Sequence, residues 1–213
     1  DKTVGVGITQ QVWASQDGGD NWDNTQWPPA AGGVIAGTAI ISAMDITNDI
    51  SGYRKVLVAT RNTTAATFNI SVMKMPGFGG WNVQSAAGAP ASLNQFAGDV
   101  LAAKFSPTFG SDSTIVVVMS NALGTYLLTG VHDIAQNFTT WQVTSQYTEI
   151  KNSTSPPGQS PTNLEIITAC IQLPSDFSGQ SASLRRVYVS TDAADRVAPP
   201  NGSPNRGVYR IDD

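Results

Sequence analysis

The sequence predicts an all-β chain built from repeated units of four short antiparallel strands. Three observations lead there. Apolar segments of one pattern recur at intervals of 60 and 66 residues along the 213-residue chain. The runs between turn signals are β-branched or alternate apolar with polar residues. No stretch longer than a turn places apolar residues at i, i+3, i+4 and i+7, so helix content is expected to be low.

The first strand of the unit is read in IISAMDI (Ile40 to Ile46), VLAAKFS (Val100 to Ser106) and IITACIQ (Ile166 to Gln172). Each is followed by polar turn chemistry: TNDISG (Thr47 to Gly52), SPTFGSD (Ser106 to Asp112) and LPSDFSG (Leu173 to Gly179). The second strand follows as KVLVAT (Lys55 to Thr60), TIVVVMS (Thr114 to Ser120) and RVYVST (Arg186 to Thr191), with TVGVGIT (Thr3 to Thr9) as an earlier copy. The third is QVWAS (Gln11 to Ser15), SVMKM (Ser71 to Met75), GTYLL (Gly124 to Leu128) and GVYRI (Gly207 to Ile211). Three of these lead to Trp22, Trp81 and Trp141, spaced by 59 and 60 residues. WNV (Trp81 to Val83) and WQV (Trp141 to Val143) are expected to open the fourth, outer strand.

A small sheet of this kind cannot bury both faces alone, and stacking radially against its neighbours does so, as in a β-propeller. The expected architecture is one propeller-type segment spanning 1–213. It holds about four blades: 1–27 (partial), 40–86, 100–146 and 166–213 (partial). The first unit is read as lacking its first strand and the last as lacking its fourth. The remaining blades of a longer chain, or a second copy, are the expected partners.

Between the third and fourth strands of the first unit stands SQDGGDNW, with Ser15, Asp17, Gly19 and Trp22 in the spacing S-x-D-x-G-x-x-W. This resembles the Asp-box, or bacterial neuraminidase repeat. It is similar to the blade hairpin of sialidases, sortilin-type receptors and xyloglucan-cleaving glycosidases. The physical logic is that of a tight turn: Asp accepts backbone N–H bonds, Gly takes a conformation that a β-carbon opposes, and Trp covers the turn. In the second unit the turn reads MPGFGGW (Met75 to Trp81), with Gly77 in place of Asp. In the third it reads as a stretched loop from Leu128 to Trp141, and in the fourth Asp213 aligns with Asp17, a truncated Asp-box. The resemblance implies propeller architecture and transfers no catalytic site, because such turns lie away from the central binding face.

Composition narrows the chemistry. Only 13% of residues are charged and the net charge is −4, with no Lys/Arg cluster to track phosphates, so nucleic acid is not an expected partner. The most apolar window, Gly32 to Met44, is too short to span a membrane as a helix. One cysteine (Cys170) and one histidine (His132) exclude an internal disulfide and a Cys/His metal cage, and no metal or cofactor is expected. Cys170 is read as a buried thiol in a strand, His132 as an exposed loop residue.

A sialidase needs clustered arginines, a Tyr–Glu pair and an acid, whereas the arginines here are scattered and Glu149 and Glu165 are the only glutamates. A glycosidase could draw on Asp45, Asp49, Asp99, Asp112, Asp133, Asp176 or Asp192, although loop aspartates commonly cap turns. Trp13, Trp27 and Tyr147 could stack on sugars, packing between blades being the preferred reading. The sequons at Asn62, Asn69, Asn137 and Asn152 would be glycan acceptors in a secreted protein. The segment Lys151 to Asn163 reads as an exposed excursion. The expectation is a non-catalytic extracellular or cell-surface scaffold, or a platform recognising protein or glycan. The alternative is part of an Asp-box carbohydrate-active enzyme completed by further blades.

Overall fold

The computed structural model describes residues 4–8, 11–25, 40–61, 69–76, 80–84, 98–121, 124–141, 148–152, 166–193 and 207–212. They are all-β apart from one short helix and a 3₁₀ turn, and they form four antiparallel sheets in chain order. The first contains β1 (Val4–Ile8), β2 (Gln11–Ser15) and β3 (Asp23–Asn24). The second contains β4 (Ile40–Ile46), β5 (Arg54–Arg61), β6 (Asn69–Met75) and β7 (Asn82–Val83). The third contains β8 (Asp99–Phe105), β9 (Thr114–Asn121), β10 (Gly124–Asp133) and β11 (Phe138–Trp141), with helix α1 (Phe109–Asp112) between β8 and β9. Strand β12 (Thr148–Asn152) pairs with the beginning of β10, on the edge that β11 occupies at its end. The fourth contains β13 (Ile166–Gln172), β14 (Arg186–Ala193) and β15 (Gly207–Asp212).

The sheets stack face to face. Neighbouring residues of one strand point to opposite faces, so the runs KVLVA in β5 and TIVVVM in β9 feed two cores at once. Val56 and Val58 join Val12, Ala14, Met73 and Met75 between the first and second sheets. Leu57 and Ala59 join Val100, Ile115, Val117 and Leu128 between the second and third. Val116 and Val118 join Ile171, Phe177, Val187 and Val189 between the third and fourth. The repeat is visible in a defect too. In the second, third and fourth sheets the pairing of the first strand slips by one residue near its start, between Ile41 and Ala43, Val100 and Ala102, and Ile166 and Thr168. This aligns Ile41, rather than Ile40, with Val100, so the first interval is 59 residues; sequence similarity alone placed it one residue off.

Several expectations are corrected. The third unit's turn is not stretched: β10 continues to Asp133, and a four-residue loop returns to β11 with Asn137 at φ 52°. The outer strand therefore begins at Phe138, three residues before Trp141. Lys151 and Asn152 belong to β12, not to an excursion. Cys170 is exposed, because in β13 it lies with Thr168 and Gln172 on the face turned away from the third sheet. Asp213, Trp27, Tyr147, Asn62 and Gly77 lie outside the described residues.

The paired Gly130 and Trp141 explain the register of the β10–β11 hairpin. A β-carbon at Gly130 would stand 2.6 Å from the Trp141 ring and 2.7 Å from the Thr139 methyl, both packed inside the stack. Gly130→Ala is expected to cost about 1–3 kcal/mol by overpacking. Gly110→Ala, where the nearest atoms stand at an ordinary 3.8 Å, should stay within about 0.5 kcal/mol in the same denaturant titration.

Candidate functional site

Successive antiparallel strands reverse direction, so the first–second turn and the third–fourth hairpin of every sheet lie at one end of the stack. The polar chemistry of the described residues collects at this rim. In the first sheet the β2–β3 hairpin is tied by Ser15, Asp17, Gly19 and Trp22. The Ser15 hydroxyl donates to Asp17 Oδ1 (2.7 Å) and accepts from Gly19 N (2.8 Å). Asp17 accepts from Asn21 N (3.0 Å) and Asn21 Nδ2 (2.7 Å). Trp22 Nε1 donates to Gly19 O (3.0 Å), and Gly19 holds φ at +105°, a region that side chains oppose. The Asn21 bonds, then the Ser15 hydroxyl, keep the Asp17 carboxyl well below the usual range. In the third sheet Asp133 caps the hairpin, its Oδ1 accepting from Ala135 N and Gln136 N at 2.9 Å each. The carboxylate absent from the sequence comparison of that turn is therefore present, four residues before Asn137.

Trp81 and Trp141 reach across sheets where Trp22 does not. Trp81 Nε1 donates to Thr25 O (3.1 Å), and Trp141 Nε1 donates to Gln84 O (3.1 Å). Thr25 and Gln84 each stand three residues after the tryptophan of their own unit, so one rule joins each sheet to its predecessor. Both rings are buried, while Trp22 remains 38% exposed.

Beside Trp141 runs a buried polar chain that the sequence did not reveal. Lys55, Gln84, His132 and Thr139 are each at most 2% exposed. Lys55 Nζ lies 3.0 Å from His132 Nε2 and donates to Asn137 Oδ1 at 2.7 Å. His132 Nδ1 lies 2.9 Å from Thr139 Oγ1, whose hydroxyl donates to Gln84 Oε1 at 2.8 Å. Gln84 Nε2 in turn donates to Asn82 O and Asn137 O. One donor order satisfies all of these: ammonium to Nε2, Nδ1–H to hydroxyl, hydroxyl to amide, amide to carbonyl. It requires a neutral His132 protonated on Nδ1. Burial, then the Lys55 charge, lowers the His132 pKa to about 4; burial, then Lys74, lowers that of Lys55 to about 8. His132 is therefore a buried strand residue and not an exposed loop one. The signal for it was the alternation Tyr126, Leu128, Gly130, His132, which continues past the point where the turn was placed.

Three other aspartates serve backbone amides. Asp112, 2% exposed, accepts from Ser106 Oγ (2.7 Å), Thr114 N (3.0 Å) and, across to the fourth sheet, Gly179 N (2.9 Å). Asp45 accepts from Phe105 N (2.8 Å); burial raises its pKa against that bond. Asp49 accepts from Gly52 N. Among the described residues no group of three His, Cys, Asp or Glu side chains could hold a metal. Trp13 is half-buried and lines an apolar cavity of about 190 Å³ between the first and second sheets, with Val12, Met44, Met73 and Met75. Of the sequons, Asn137 turns its side chain to Lys55, Asn69 opens β6 and Asn152 closes β12.

No protein-family model matches the chain, and comparison with curated proteins finds no significant match.

The tryptophan rule has an energetic signature. Trp81→Ala and Trp141→Ala, at 9% and 5% exposure, are each expected to cost about 3–5 kcal/mol. Trp22→Ala should cost about 1–2 kcal/mol, because much of its ring is already in water. Equilibrium unfolding of the three variants checks the ranking. Gln84→Ala strips the Thr139 hydroxyl and the Asn137 carbonyl of their buried partner, and a loss of about 1–3 kcal/mol is expected in the same assay.

Proposed function

We propose that the chain is part of a β-propeller of Asp-box type, acting as a non-catalytic scaffold or recognition platform at the cell surface or outside the cell. Two features support the architecture: consecutive antiparallel meanders stacked face to face in chain order, and the hydrogen-bonded S-x-D-x-G-x-x-W hairpin. The partner blades would come from a longer chain or a second copy.

One observation carries the non-catalytic reading. At the rim the buried polar side chains bond to their own turn or to the next sheet, and among the described residues no nucleophile, base and acid converge there on an open cleft. Asp45, Asp49, Asp112 and Asp133 hold backbone N–H groups. A carboxylate held in this way positions chain, not substrate. The low charge, with a surface rich in hydroxyls and amides, suits protein or glycan recognition rather than nucleic acid.

The full-length protein tested on a glycan and protein array, in parallel with a glycoside-hydrolysis screen, decides between platform and enzyme. Saturable binding without turnover is the expected outcome. Reproducible hydrolysis abolished by a single Asp substitution, with unchanged melting, would establish the carbohydrate-active alternative instead.

A further inference from the structure

Lys55 enters the second sheet at the start of β5, and His132 lies near the end of β10 in the third. Two basic side chains thus meet in the interior, with Nζ 3.0 Å from Nε2. Lys55 forms no ion pair with a carboxylate among the described residues. Its neighbour across the pairing is another cation, Lys74 of β6. Around His132 stand the neutral Thr139 and Asn137, and the Phe109 ring of α1 at 5.9 Å. The adjacent Asp133, whose charge favours the protonated ring, already turns Oδ1 to the amides of Ala135 and Gln136. A contact between two bases holds only while one of them lacks its proton.

We infer that the Lys55–His132 contact is an acid-operated interlock between the second and third sheets. With His132 neutral, Nε2 accepts from the ammonium and joins β5 to the β10–β11 hairpin. Protonation turns Nε2–H toward Lys55 Nζ, so a hydrogen bond becomes a meeting of two donors and two like charges. The hairpin carrying Thr139 and Trp141 then keeps only the Lys55–Asn137 bond to β5 and opens before the rest of the stack.

The direction follows from the proton count. In the unfolded chain His132 titrates at an ordinary 6.5, in the fold at about 4. The unfolded state takes up the proton first as pH falls. The stabilisation is complete above 6.5 and is lost between 6.5 and 4. Lys55, at about 8 in the fold against 10.5, adds a second window in which stability rises between pH 8 and 10.5.

His132 is the single histidine of the chain, so its imidazole resonance can be followed in the intact wild-type protein by NMR. A midpoint at least one unit below 6.5 is expected; a midpoint near 6.5 in the folded protein would overturn the inference. Denaturant unfolding across pH 4 to 7 gives the linked measurement. The folding constant of the wild type should fall more steeply than that of His132→Gln, which keeps an acceptor and does not titrate, by up to about tenfold per pH unit. Lys55→Met should flatten the slope by removing the facing charge. Slopes are compared, so a variant less stable at pH 7 remains informative. Protection against hydrogen exchange, relative to the intrinsic rate at each pH, should fall in residues 130–141 at a higher pH than in β9. Equal acid slopes for wild type and His132→Gln, or uniform exchange, would sink the interlock.

Discussion

The structure rests on one constraint: strands apolar on both sides must be covered on both sides. In β9, Ile115, Val117 and Met119 face the second sheet while Val116 and Val118 face the fourth. A single sheet with such strands would leave one face in water, at roughly 25 cal/mol for each Å² of apolar surface. The neighbouring sheets remove that exposure, and the middle sheets are fully covered because each has a neighbour on either side.

Apolar faces alone would let the sheets slide, since the hydrophobic effect has no direction. The rim supplies direction. Indole N–H groups of Trp81 and Trp141 select one carbonyl each on the preceding sheet. Asn48 Nδ2 donates to Pro107 O, Thr108 Oγ1 to Phe177 O, and Gly179 N to Asp112. These bonds are directional, so each one fixes a register that packing leaves loose. The Lys55–His132 chain belongs to the same set and differs in being sensitive to protons.

Much of the fold was legible because it is carried by short-range pattern. Period-two and β-branched runs located the strands, and Gly, Pro, Asn and Asp located most turns. The third hairpin was misread for a physical reason. Its Asp-x-x-x-Asn loop uses an Asp cap and a left-handed Asn where the first hairpin uses Asp and Gly. With the turn placed too broadly, His132 fell into a loop and its burial was lost with it. The polar chain could not be read at all, because Lys55, Gln84, His132 and Thr139 come from three separate stretches that meet only when sheets stack. Cys170 was misassigned because an apolar-looking strand gives no sign of which face lacks a neighbour.

The indole rule has a consequence for how change spreads through the molecule. Trp81 and Trp141 are each anchored one sheet back, and the first–second turns of the second and third sheets are bonded one sheet forward, so these directional bonds run between sheets consecutive in sequence. Mechanically these are links in series. A fault in one hairpin loosens two interfaces and leaves the others at full strength. Drift in a single unit, such as the second hairpin, which keeps its Trp without the acidic turn of the first, can then be absorbed locally without redesign of the whole stack.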